Sequence, residues 1–74
     1  MKTIFADFNN NIGPEGLIRL TCVGTTHDLE AMGLSLSEGL RLTVSDGDLI
    51  ADIVVRKSAE GSWGGEFIGE IRDC

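Results

Sequence analysis

The stretch LRLTVSDGDLIADIVVRKSAEGSWGGEFIGEI, Leu40 to Ile71, decides the fold. Leu40, Leu42 and Val44 alternate with Arg41, Thr43 and Ser45, the period of two that sends successive side chains to opposite faces of a half-buried strand. Asp46-Gly47 comes next and signals a hairpin, because glycine accepts a positive φ and aspartate tolerates one. In the following segment Leu49, Ala51, Ile53 and Val55 alternate with Ile50, Asp52, Val54 and Arg56, so both faces carry apolar side chains. Such a strand is either central in a closed barrel or half of a dimer interface. After the Glu60-Gly61-Ser62 turn, Trp63, Gly65, Phe67, Gly69 and Ile71 share one face, and Gly64, Glu66, Ile68, Glu70 and Arg72 the other. Glycines alternating with aromatic and aliphatic residues suit a strongly curved strand.

Working outward, Thr3 to Phe8 reads as a first strand, with Ile4, Ala6 and Phe8 inward and Phe5 and Asp7 outward. Asn9-Asn10-Asn11 ends it, and Gly13-Pro14-Glu15-Gly16 forms a turn. A second strand starts at Leu17, with Ile18, Leu20 and Cys22 on one face and Leu17, Arg19, Thr21 and Val23 on the other. The one helical segment is His27 to Met32, capped by Thr25 or Thr26 and stopped by Gly33. Leu29 and Met32 lie three apart and share a face, which would lay the helix over an open end of the sheet. The leucines of Leu34 to Gly39 anchor a connector. The pattern is a single mainly β domain over residues 1–74 in the order β-β-α-β-β-β. It predicts a small five-stranded antiparallel barrel, SH3-like or OB-like, with a twisted sheet crossed by one helix as the second choice.

With 74 residues, the chain buries a modest fraction of its surface, so a compact core or a second subunit has to support it. Composition is that of a folding chain, 42% hydrophobic and 24% charged. Twelve acidic against six basic residues give a net charge of −6, a field that repels nucleic-acid backbones and anionic membranes. The basic residues are scattered, and only Arg56-Lys57 are adjacent, too few for a groove that tracks phosphates. Cys22 lies in an apolar run and Cys74 at the last position, so both read as thiols of a reducing cytoplasm. Asp7 interrupts the apolar start too early for a signal-peptide core, and no apolar run reaches the roughly 20 residues of a membrane span.

Chemical motifs are sparse. His27 stands beside Asp28 and five residues after Cys22, whereas zinc needs three or four ligands, and a Cys22 facing the core would be an inert thiol. Asp46, Asp48 and Asp52 start like a calcium loop, but glycine and leucine occupy positions where further oxygens are needed and no glutamate closes the site. Glu66 and Glu70 are about 13 Å apart along an extended strand, wider than paired glycosidase carboxylates. Trp63 belongs with the core, ligand stacking being the alternative. No catalytic residue, metal ligand or cofactor site is therefore expected. Phe5, Leu17, Ile50, Val54 and Ile68 remain once each strand's better core face is assigned, and clustered on the outside they would mark a contact surface.

Ile4-Phe5-Ala6-Asp7-Phe8-Asn9-Asn10, Ile18-Arg19-Leu20, Gly24-Thr25, Asp28-Leu29 and Glu38-Gly39-Leu40 together resemble a group of short bacterial proteins of unknown function. That resemblance spans most of the chain and brings no activity, cofactor or catalytic residue with it. The layout from Leu34 to Gly39 is similar to cyclic-dinucleotide-binding PilZ barrels, but the paired arginines and the Asp-x-Ser-x-x-Gly signature of that family are absent. The expectation is a cytoplasmic, non-enzymatic protein-binding or assembly module with a protein partner, a homodimer through the face of Ile50, Val54 and Ile68. A membrane or nucleic-acid partner is not expected. The alternative is an acidic inhibitor that imitates nucleic-acid phosphates with Asp46, Asp48, Asp52, Glu66 and Glu70.

Overall fold

The computed structural model describes residues 3–9, 11–12, 16–59 and 61–73. Its elements are β1 (Thr3–Phe5), β2 (Asn11–Ile12), β3 (Leu17–Arg19), α1 (Val23–Met32), β4 (Arg41–Ser45), β5 (Leu49–Lys57) and β6 (Trp63–Asp73). The strands form one sheet in the order β1-β4-β5-β6-β3-β2, curled into a half-barrel. The expected mainly β fold with one helix is present. Three finer expectations need correction: the sheet is mixed rather than antiparallel, it is open rather than closed, and three strands precede the helix instead of two.

The mixed character comes from β1, which runs parallel to β4 with Thr3 opposite Thr43 and Phe5 opposite Ser45. Parallel neighbours need a long crossover, and here it contains β2, β3 and α1. The strand that composition concealed is β2: Asn11, read as part of the end of the first strand, and Ile12 pair with Ile18 and Leu17. The expected Gly13 to Gly16 turn lies mostly outside the described residues, with Gly16 at its end at φ +70°.

The C-terminal meander follows the alternation. Arg41 to Ser45 pairs antiparallel with Ile50 to Val54, and the Asp46-Gly47 hairpin joins them with Gly47 at φ +102°. Asp46 Oδ1 accepts the N–H groups of Asp48 (2.9 Å) and Leu49 (2.8 Å), closing the turn on its own side chain. At the next turn Ser58 N–H donates to Ser62 O (2.8 Å), and Ser58 Oγ accepts Ser62 N–H (3.1 Å). The concave face holds the core: Ile4, Ala6, Ile18, Leu20, Leu42, Val44, Ala51, Ile53 and Val55 are buried together, and α1 adds Leu29. Phe8, Leu34, Leu36, Leu40, Trp63 and Phe67 pack around it. Trp63 thus joins the core margin, with Lys57 Nζ 4.7 Å from its ring centroid.

The helix starts four residues before His27. Cys22 takes the N-cap position without a side-chain capping bond, and Thr25 lies inside the helix, buried, with its hydroxyl turned to β1. Gly33 ends the helix as expected, in the left-handed region at φ +66°. Leu29 is buried but Met32 is 38% exposed, so the two do not share a buried face. The helix packs against β1 and contributes Leu29 to the core of the sheet. Gly24 permits that approach, because a Cβ there would stand 2.7 Å from the Phe5 ring.

Candidate functional site

A catalytic centre would need titratable groups converging in a concavity, and the candidate groups are dispersed or committed elsewhere. His27 is solvent-exposed with Nδ1 3.9 Å from Asp28 Oδ1, while Asp28 Oδ2 accepts the N–H of Phe5 at 2.8 Å. Thr25 Oγ1 donates its proton to Phe5 O (2.6 Å), so the Cys22 Sγ contact at 2.9 Å leaves the thiol as donor. Cys22 is half-buried at the helix start rather than in the core. Among the described residues no group of three or more His, Cys, Asp or Glu side chains is placed to hold a metal. An open depression of about 310 Å³ lies along the first turns of α1, lined by Thr21, Val23, Thr26, His27 and Glu30.

The five leftover apolar residues go to different places. Leu17 and Val54 are buried at 6% and 7% exposure. Val54 stands between Arg41 on β4 and Glu66 on β6, whose long stems can lie over it. Phe5 is 38% exposed and lies under Gly24 of α1. Ile50 and Ile68 remain half-buried on the outer face of the sheet. Between them runs a polar row: Thr43 Oγ1 donates to Asp52 Oδ1 at 2.9 Å, and Arg72 Nη2 lies 3.8 Å from the same carboxylate oxygen. The outer face is therefore two apolar spots split by an ion pair.

The acidic candidates are equally divided. Asp46 is folded onto its own turn, and the backbone N–H groups of Leu49 and Asp48 hold its carboxyl below the ordinary carboxylate range. Asp52 is engaged as described. Glu66 accepts from Arg56 Nε at 3.2 Å, and Arg56 Nη1 also lies 3.6 Å from Glu38 Oε2. Asp48 sits at the hairpin tip and Glu70 beyond Gly69 on β6, both exposed. Arginines 41, 56 and 72 interleave with these carboxylates, so they do not line one continuous ridge.

The feature that alternation did not reveal is the far edge of β6. On that side β3 covers only the start of β6, with Ile18 opposite Gly65 and Arg19 opposite Gly64. No described strand pairs with residues 67–73 there. At two other places where the ladder lacks a neighbour, side chains substitute: Thr25 and Asp28 at Phe5 of β1, and Glu38 Oε1 for the N–H of Lys57 (3.2 Å). Along residues 67–73 no described side chain does so. This arm is also shifted: Asp52 faces Ile68, but Ile50 faces Arg72, so one β5 residue opposes three of β6. Gly69 at φ +87° takes up the two extra residues, a backbone conformation that glycine adopts without a steric penalty. Residues 69–73 are all exposed, and Ile71, assigned by alternation to the inner face, is 49% exposed. A sequence signal did exist: a glycine inside the alternation of the last strand.

Neither a protein-family model, a curated protein nor a solved structure matches this chain. No helix among the described residues is long and apolar enough to cross a membrane.

Proposed function

We propose that this chain is a non-enzymatic protein-binding and assembly module, working as a homodimer. One observation carries the reading: among the described residues, nothing pairs with the outer backbone edge of β6 over residues 67–73, whereas the β1 edge at Phe5 is covered by side chains of α1. An exposed edge is a template for strand addition, in which main-chain hydrogen bonds supply affinity and alternating side chains supply register. Ile50 and Ile68 add apolar area on the outer face beside that edge, and Leu17 and Val54 back it from beneath the surface. Cys22 is a free thiol, which fits the reducing cytoplasm.

The acidic-inhibitor alternative requires a continuous row of uncommitted carboxylates, and the interleaved arginines weigh against it. Solution mass by light scattering across a protein dilution series, at low and high salt, tests the assembly reading. A dimer that persists at high salt supports it, because backbone and apolar contacts are screened far less than exposed charges. A monomer throughout the series overturns it.

A further inference from the structure

Resting on the assembly reading, we infer that the partner at this edge is a second copy, its β6 paired antiparallel with the first about a two-fold axis at Ile71. The backbone orientation points there. Leu20 N–H donates to Trp63 O, so the odd-numbered residues at the start of β6 turn their N–H and C=O away from β5. The shift at Gly69 is two residues, which preserves that parity, and Ile71 and Asp73 aim their backbone groups outward. A two-fold at Ile71 lets the two Ile71 residues exchange N–H···O bonds directly, the hydrogen-bonded pair of an antiparallel ladder.

Charge selects this register over its neighbours. With Ile71 facing Ile71 of the second copy, Glu70 faces Arg72 and Arg72 faces Glu70, two opposite-charge pairs around an apolar centre. Centring on Glu70 sets carboxylate against carboxylate, and centring on Arg72 sets guanidinium against guanidinium, both destabilising. Centring on Gly69 places the bulge and its positive φ at the axis, where the ladder cannot continue. A closed two-fold contact of this kind uses the same patch on both copies and ends growth at the dimer. It also removes the bare edge, joining two half-barrels into one continuous sheet.

The test uses complementary charge variants. In E70R each arginine at 70 meets Arg72 of the other copy, and in R72E each glutamate at 72 meets Glu70; both repulsions occur twice by symmetry. By light scattering each variant alone is expected at monomer mass, and an equimolar mixture at dimer mass, since the mixed pair restores both attractions. Recovery on mixing also shows that both variants are folded. If either charge variant alone keeps the wild-type dimer mass, or the mixture stays monomeric, the two-fold at Ile71 is overturned while assembly itself stands. A wild-type chain that is already monomeric overturns the assembly reading and this inference together.

Discussion

At β1 the outermost strand meets α1, and Phe5 finds there everything a neighbouring strand would have offered: an acceptor for its N–H in Asp28 and a donor for its C=O in Thr25. At β6 the outer groups of residues 67–73 meet no described element. The comparison shows what edge protection requires. Thr25 and Asp28 are three apart and share a helix face, so one short donor and one short acceptor reach the two backbone groups of a single residue. Beyond Gly69 the chain invests instead in exposed Glu70, Ile71 and Arg72, residues that complement their own copy when the strand is reversed.

The largest effect is expected when β1 is uncovered. Thr25→Val keeps the shape of the side chain but leaves the Phe5 carbonyl and the Cys22 thiol without their partner. The expected loss is about 2 kcal/mol, the cost of an unsatisfied part-buried acceptor, read as a lower urea midpoint with unchanged slope. Amide hydrogen exchange sharpens it: the Phe5 N–H, held by Asp28, should exchange slowly in wild type and faster in Asp28→Ala. The Ile71 N–H should be protected only at concentrations where the dimer forms.

A smaller effect is expected at the bulge. Gly69→Ala places a side chain at φ +87° and should cost about 1 kcal/mol, with space around it remaining open. Because the bulge sets the register of Ile71, the same variant should weaken self-association more than it weakens folding, which separate dilution and denaturation series would reveal.

The smallest effect concerns the hairpin that supports the arm, since Ser45, Ile50 and Arg72 lie in one row across β4, β5 and β6. Asp46 has its carboxyl pKa lowered from 3.8 by the N–H groups of Leu49 and Asp48. The folded state therefore binds that proton less readily than the unfolded chain, and the carboxylate contributes stability above the unfolded value that fades as pH falls through the folded one. Asp46→Asn should be slightly less stable than wild type at pH 7, with the difference shrinking below about pH 4. A constant difference across that window would show that the charge is irrelevant there.

Much of the architecture was legible because the C-terminal half obeys local rules. The hairpin at Asp46-Gly47 and the buried faces of Leu42, Val44, Ala51, Ile53 and Val55 follow from turn chemistry and a period of two. The N-terminal half depends on contacts between distant residues. Val23, Gly24, Thr25 and Thr26 are poor helix formers, and what recruits them into α1 is the edge of β1, some twenty residues earlier in the chain. Asn11 has little strand propensity and is paired because β3 lies opposite. Ile50 and Ile68 were visible as apolar residues on a second face. Ile71 was not, because alternation puts it on the inner face, whereas beyond Gly69 it lies 49% exposed.

The parallel pairing of β1 with β4 also sets an order of events during synthesis. Thr3 is made forty positions before its partner Thr43, whereas β4, β5 and β6 are linked by tight turns. Closing the long loop costs entropy before any contact rewards it, so the meander can organise first and the N-terminal strand joins afterwards. Until β4 has emerged, the first strand of this protein has α1 to lean on but no ladder to join.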